Sequence, residues 1–279
     1  MFKRNKSGFT LIELLVVISI IALLMSILLP SLGKARKKAR EVICLTNLKQ
    51  WGIMAHMYAN DYNDSLHPGY GGERTASRTI RDNLWFAAYR PYHKDTGIIF
   101  CPEAGNRFMY DEQGNPTGNM PGHSSWGPYN QDRGWAAEGD SGSYGSNGYC
   151  TNPGDTPKIF GSRPNDYFWK KKTVSCANRI PFILDCWWIF GMPQCIDMPP
   201  DYVQEGRKTG QDEMRLFTLD RHSGKIGAVF LDGSLRMVGL KELWTLKWHQ
   251  GYNTNGPWTQ AGGVTRGDWP EWMRGFKDF

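Results

Sequence analysis

Residues 11–29, Leu-Ile-Glu-Leu-Leu-Val-Val-Ile-Ser-Ile-Ile-Ala-Leu-Leu-Met-Ser-Ile-Leu-Leu, form an apolar run broken by one charge, Glu13. As a helix rising about 1.5 Å per residue, the run matches a bilayer core of about 30 Å. Three cations (Lys3, Arg4, Lys6) and Gly8 precede it, and Pro30 follows. An acid within such a segment costs about 2.5–3.5 kcal/mol at the helix centre and less near an end. Glu13 is therefore a functional candidate that needs a partner.

The hexapeptide Gly8-Phe9-Thr10-Leu11-Ile12-Glu13 behind a basic leader resembles the class III signal of type IV pilins and type II secretion pseudopilins. The resemblance implies a leader at 1–8, cleaved between Gly8 and Phe9 by a membrane prepilin peptidase that also methylates the new amine of Phe9. It implies that Glu13 meets the N-terminal amine of a neighbouring subunit, in a homo- or hetero-oligomeric filament of a type II secretion or pilus-like machine. Opposite charges in a low-dielectric medium set register strongly. The competing reading is an ordinary secretory signal or plain anchor. Such a signal wants small residues after its apolar core, and Leu28-Leu29-Pro30-Ser31-Leu32-Gly33 supplies them poorly.

Orientation draws on two opposed signals. Lys34, Arg36, Lys37, Lys38 and Arg40 outnumber the cations upstream, which by the positive-inside rule favours a cytoplasmic head. The peptidase of the resembled family acts at the cytoplasmic face, which puts the head in the periplasm or outside the cell. We follow the signature and expect a single-pass inner-membrane protein. The same cations suit anionic headgroups, acidic groups of neighbouring subunits or plain solvation.

Beyond the membrane run, Cys44, Leu48, Trp51, Ala55, Tyr58 and Tyr62 recur at steps of three and four, one face of a helix. We expect one helix over 9–60, kinked at Pro30, with about 11–29 transmembrane and the remainder packed on a head at 61–279. Thr79 can cap a short helix ending near Tyr89. Residues 98–101 and 180–184 read as strands, with Pro181 at a strand start or sheet edge. Residues 106–164 are rich in Gly, Asn, Pro, Ser and Asp, a long loop with a strand near 144–149. The clearest β signal is 225–238, where apolar side chains on both faces flank the two-residue turn Asp232-Gly233. Leu240, Leu243, Trp244 and Trp248 suggest a last short helix. The fold class expected is α+β, a long N-terminal helix across an antiparallel sheet with long irregular loops.

A second resemblance covers much of the head. His222 and Asp232-Gly233 lie at the spacing of the processing-associated H-x9-DG pattern of a large group of pilin-like proteins. Cys44-Leu45-Thr46-Asn47-Leu48-Lys49-Gln50, Phe100-Cys101-Pro102, Ser143-Tyr144-Gly145-Ser146-Asn147-Gly148 and Arg221-His222-Ser223-Gly224 match further segments of that group, in order. Ser234 departs from it, since histidine often follows the Asp-Gly there. The resemblance makes Cys44 and Cys101 candidates for a disulfide tying helix to sheet. Calcium held by secretion pseudopilins makes Asp220, His222 and Asp232 candidate ligands, although calcium prefers oxygen shells. The plainer alternative is that Asp232 caps a turn while His222 bonds a neighbouring loop.

Six cysteines, with no Cys-x-x-Cys pair, give little support to a zinc or thioredoxin-like motif and leave the pairing open. The six histidines form no His-x-x-x-His or His-Glu-x-x-His spacing, and no Gly-x-Ser-x-Gly elbow occurs. We expect no enzyme, no resident cofactor unless calcium, and no nucleic acid, because the net charge of +6 falls to +3 beyond the leader cations. The expected function is a pilin-like structural subunit. The alternative is a membrane-displayed binding protein that uses the signal for export, with Trp244, Trp248, Trp258, Trp269 and Trp272 as a glycan-stacking platform.

Overall fold

The computed structural model describes residues 11–69, 80–93, 97–107, 109–110, 116–117, 124–127, 139–155, 158–159, 163–202 and 212–279. Contacts divide the chain into two units, Met1–Arg40 and Glu41–Phe279. Helix α1 (Leu11–Asp61) supplies the described part of the first unit and opens the second. It is long and apolar enough to cross a membrane. Every side chain from 11 to 40 is exposed within the chain. The hydroxyls of Ser19, Ser26 and Ser31 turn back onto the carbonyls of Val16, Leu23 and Leu28, so these three hydroxyls are satisfied within the helix. The helix continues through Pro30, which has no N–H to bond the carbonyl four residues back.

In the second unit α1 buries Cys44, Leu48, Trp51, Ala55 and Tyr58, the face that the sequence spacing marks out. Tyr62, expected on that face, lies past the helix end and is exposed, stacked on Tyr58 with ring centroids 4.2 Å apart. The helix packs on a mixed five-stranded sheet built from β1 (Tyr144–Asn147), β2 (Pro181–Asp185), β3 (Phe190–Gly191), β4 (Lys225–Phe230) and β5 (Leu235–Gly239). The spatial order is β5-β4-β2-β1-β3. Three pairings are antiparallel; the edge pairing of β1 with β3 is parallel, a departure from the purely antiparallel sheet expected. Pro181 starts β2, a position where its missing N–H costs least.

β4 is buried on both faces because two cores meet across it. Val229 and Leu231 join Cys44, Leu48, Trp51 and Trp85 on the α1 side. Ile226, Ala228 and Phe230 join Trp244, Trp248 and Trp269 on the other. Close approach between helix and sheet relies on glycine from both partners. A Cβ on Gly227 of β4 would lie 2.8 Å from both Cys44 Sγ and Leu48 Cδ1, and one on Gly52 of α1 would lie 2.9 Å from Val229 Cγ2.

Several local expectations differ from the observed elements. Residues 98–101 do not form a strand: Gly97–Ile99 is a 3-10 turn and Cys101 follows it in irregular backbone. Side chains take the acceptors that a strand partner would have used, with Trp51 Nε1 donating to Ile98 O and Asn47 Nδ2 to Phe100 O. Thr79 falls outside the described residues. The helix expected after it is two short turns, α2 (Ile80–Asn83) and α3 (Trp85–Ala88), with Leu84, Trp85 and Phe86 buried and Ala88 half-buried. The β4–β5 turn holds three residues, Leu231-Asp232-Gly233, because Phe230 and Ser234 still bond and Gly233 takes a φ of +85°. The helix expected around Leu240 to Trp248 is a 3-10 segment, Lys241–Thr245, and two shorter 3-10 turns, Gln260–Gly262 and Glu271–Met273, follow it. Trp244, Trp248 and Trp269 are core residues and Trp258 and Trp272 pack against them, so these five do not form a surface platform.

Two predictions follow from this packing. Gly227→Ala is expected to destabilise the head by about 1–3 kcal/mol through overpacking. Gly275→Ala, where nothing lies within 4 Å, should stay within about 0.5 kcal/mol. Denaturant unfolding of the detergent-extracted chain, followed by circular dichroism, measures both. His67 is buried with Nδ1 3.0 Å from Tyr89 Oη, and burial pushes its imidazole down to about 3. Below the ordinary value of 6.5 the unfolded chain takes up a proton that the folded chain refuses. Stability is therefore lost as pH falls through that window, by up to about 1.4 kcal/mol per pH unit. His67→Gln, which keeps a hydrogen-bonding group but cannot titrate, should remove about 2 kcal/mol of the loss between pH 6.5 and 5.

Candidate functional site

Two regions carry chemistry. The first is the N-terminal segment, where Glu13 lies in the first turn of α1. Gly8 and Phe9 lie outside the described residues.

The second is a buried cluster in the head, made of Cys44, Cys101, Asp185 and His222, whose ligating atoms all lie within 4.8 Å of one another. Each arrives from a different segment. Cys44 comes from the buried face of α1. Cys101 follows the turn that Asn47 and Trp51 hold, and its N–H donates to Ser143 Oγ at 2.6 Å. Asp185 ends β2, beside Tyr144 of β1 and Gly227 of β4. His222 sits in the tight turn before β4, where Ser223 and Gly224 both have positive φ and His222 N donates to Lys225 O at 3.1 Å.

Asp185 is the hub. Its Oδ2 accepts from Gly227 N at 2.8 Å and Cys44 Sγ at 3.4 Å, and lies 3.3 Å from His222 Nε2. Its Oδ1 accepts from Arg221 Nη1 at 3.0 Å, an ion pair in which neither side chain is exposed. Arg221 also donates to the carbonyls of Ser143 and Cys186. Cys101 Sγ lies 3.3 Å from His222 Nε2, and Tyr144 Oη donates to Cys44 Sγ at 3.5 Å.

The electrostatics follow from these contacts. Burial alone would raise the Asp185 carboxyl, but hydrogen bonding from His222 and the charge of Arg221 outweigh it and hold it well below the usual range. Burial would lower His222, yet its bonds to Asp185 and Cys101 push it up to about 10. The bond to Cys101, then burial, raise the Cys44 thiol. Burial raises Cys101, but hydrogen bonds from Cys44 and His222 bring it below its ordinary value. The site is closed to substrates, so its chemistry is holding: a metal ion, a disulfide or an internal ion pair.

Of the residues singled out in the sequence, Cys44, Cys101 and His222 come together. Both thiols are free, so the suggested pair is adjacent but not bonded. Asp220 and Asp232 stand apart from the cluster. Asp220 Oδ1 accepts from Gly224 N, and Asp232 Oδ1 accepts from Ser234 N and Oγ, each closing its own turn. The spacer between His222 and Asp232 is mostly β4, whose six residues span about 17 Å, so the two ends of that motif serve different places. Asp185 is not among the residues that the sequence motifs mark. Its signal was an acid closing the apolar strand Pro-Phe-Ile-Leu, where an unpaired charge would be costly.

Comparison with known proteins bears on the first region. The family model described as the prokaryotic N-terminal methylation motif matches residues 3–29. The type IV wide pilus major component PilA4 of Thermus thermophilus is 47% identical over 60 residues, which are 22% of this chain and 46% of that protein. The match thus spans under half of that relative's length. No solved structure matches. Over these stretches the chain resembles type IV pilins and carries a prepilin-type methylation motif that runs into α1, among the described residues the one helix long and apolar enough to cross a membrane.

The hub generates its own prediction. Asp185→Asn removes one member of a fully buried ion pair and leaves Arg221 uncompensated, so it should cost about 3–5 kcal/mol. Denaturant unfolding checks this, and a loss under about 1 kcal/mol would show that the pair does not hold the head together.

Proposed function

We propose that this chain is a structural subunit, not an enzyme, of a type II secretion or type IV pilus-like filament. It is cleaved between Gly8 and Phe9, methylated at Phe9 by a prepilin peptidase, and anchored in the inner membrane with its head on the far side. The observation that carries the reading is the methylation motif over residues 3–29, which runs into a helix whose apolar side chains from 11 to 29 are exposed. An apolar surface of that extent calls for lipid before assembly and other subunits after it. Glu13, in the first turn, is the assembly contact: its carboxylate meets the amine of a neighbour's Phe9, and only one axial register pairs both charges.

Mass spectrometry of the membrane-extracted protein, from cells with a working prepilin peptidase, tests the processing. The expected terminus is N-methylated Phe9, and an intact Met1 terminus overturns it. Glu13→Ala should be processed normally but incorporate several-fold less well beside wild-type subunits. Equal incorporation would remove Glu13 from assembly.

A further inference from the structure

We propose that Cys44, Cys101, Asp185 and His222 bind one zinc ion in a closed tetrahedral site that fixes α1 to the head. The proposal rests on the cluster alone and stands whether or not the chain assembles into a filament.

The donor geometry is the first argument. Zinc bonds of about 2.0–2.3 Å to N, O and S at tetrahedral angles place neighbouring ligand atoms about 3.3–3.8 Å apart. The cluster gives 3.3 Å for Cys101 Sγ to His222 Nε2, 3.3 Å for His222 Nε2 to Asp185 Oδ2 and 3.4 Å for Cys44 Sγ to Asp185 Oδ2. Four donors within 4.8 Å of one another can therefore close on a single ion with small side-chain shifts.

Chemical type is the second. Two sulfurs, an imidazole and one carboxylate form a borderline-soft set that suits zinc, whereas calcium takes oxygen shells of six to eight. Charge is the third. Two thiolates and a carboxylate against a divalent ion and the Arg221 guanidinium leave no net charge in a fully buried place. Binding releases the thiol protons of Cys44 and Cys101 and the Nε2 proton of the His222 imidazolium, so that all three bind deprotonated.

The surroundings already orient the ligands. Tyr144 Oη donates to Cys44 Sγ, Arg221 and Gly227 N hold the two oxygens of Asp185, and Ser143 Oγ fixes the backbone of Cys101. Such outer contacts are what tune a metal site. All four ligands are buried, at 0% exposure for Cys44 and Asp185, 2% for Cys101 and 4% for His222, which marks a structural rather than a catalytic ion.

The test uses the full-length chain, expressed in zinc-supplemented medium, extracted in detergent and purified without a polyhistidine tag or chelator. Elemental analysis should find about one zinc per chain. After chelator treatment, added cobalt(II) should give tetrahedral ligand-field bands and a thiolate-to-cobalt charge-transfer band. His222→Ala should lower zinc affinity at least about a hundredfold, while His222→Cys, which restores a donor, should keep cobalt and strengthen the charge-transfer band. That rescue separates ligation from folding. Three results overturn the proposal: no stoichiometric zinc and no tetrahedral cobalt spectrum; an intact mass showing Cys44 joined to Cys101 in a disulfide; or zinc content unchanged in His222→Ala.

Discussion

The head depends on compensating one buried charge. The Asp185 carboxylate has no access to water, and an isolated carboxylate in such a place would neutralise or unfold its surroundings. It stays charged because Arg221, His222, Cys44 and the Gly227 amide reach it from segments far apart in sequence. Displacing Arg221 would leave a buried charge unpaired, and displacing the others would strip its oxygens of donors, so a helix, a strand end and the turn into β4 share one arrangement. A hydrophobic core alone tolerates small slips of a helix along a sheet; a charged hub does not.

Close packing makes that arrangement possible. Gly227 lets α1 approach β4 until Cys44 reaches the hub, and Gly52 answers it one helical stretch later. Behind the sheet, the tryptophan-rich C-terminal segment covers the opposite face of β4 with its own core. The sheet is therefore clamped between α1 and this irregular layer. The functional consequence is a division of labour along one helix. Residues from Cys44 onward bury one face of α1 in the head, whereas the side chains from 11 to 29 are exposed and form an apolar surface with one acid near its start.

Much of this was legible in the sequence where the signal is local. The apolar run with Glu13, the three-four stripe beginning at Cys44, and the doubly buried strand around Ile226 each follow from residue periodicity within a short window. What failed were features decided by distant partners. Residues 98–101 look like a strand, but Asn47 and Trp51 claim their carbonyls first. The short parallel strand at Phe190 carries too few residues for any pattern. The cluster as a set has no metal-like spacing along the chain, because its members sit on four segments that only the sheet order brings together. Asp232 and His222 looked like one motif, yet the strand between them holds them apart.

Amide hydrogen exchange on the full-length chain in detergent, wild type against Asp185→Asn, tests the hub most directly. If one buried carboxylate couples these segments, protection should fall together in residues 44–59 of α1, in the turn at 97–101 and along β4. If the loss stays within a few residues of position 185 while 44–59 keeps its wild-type protection, the helix is held by apolar packing alone and the central role of Asp185 is wrong.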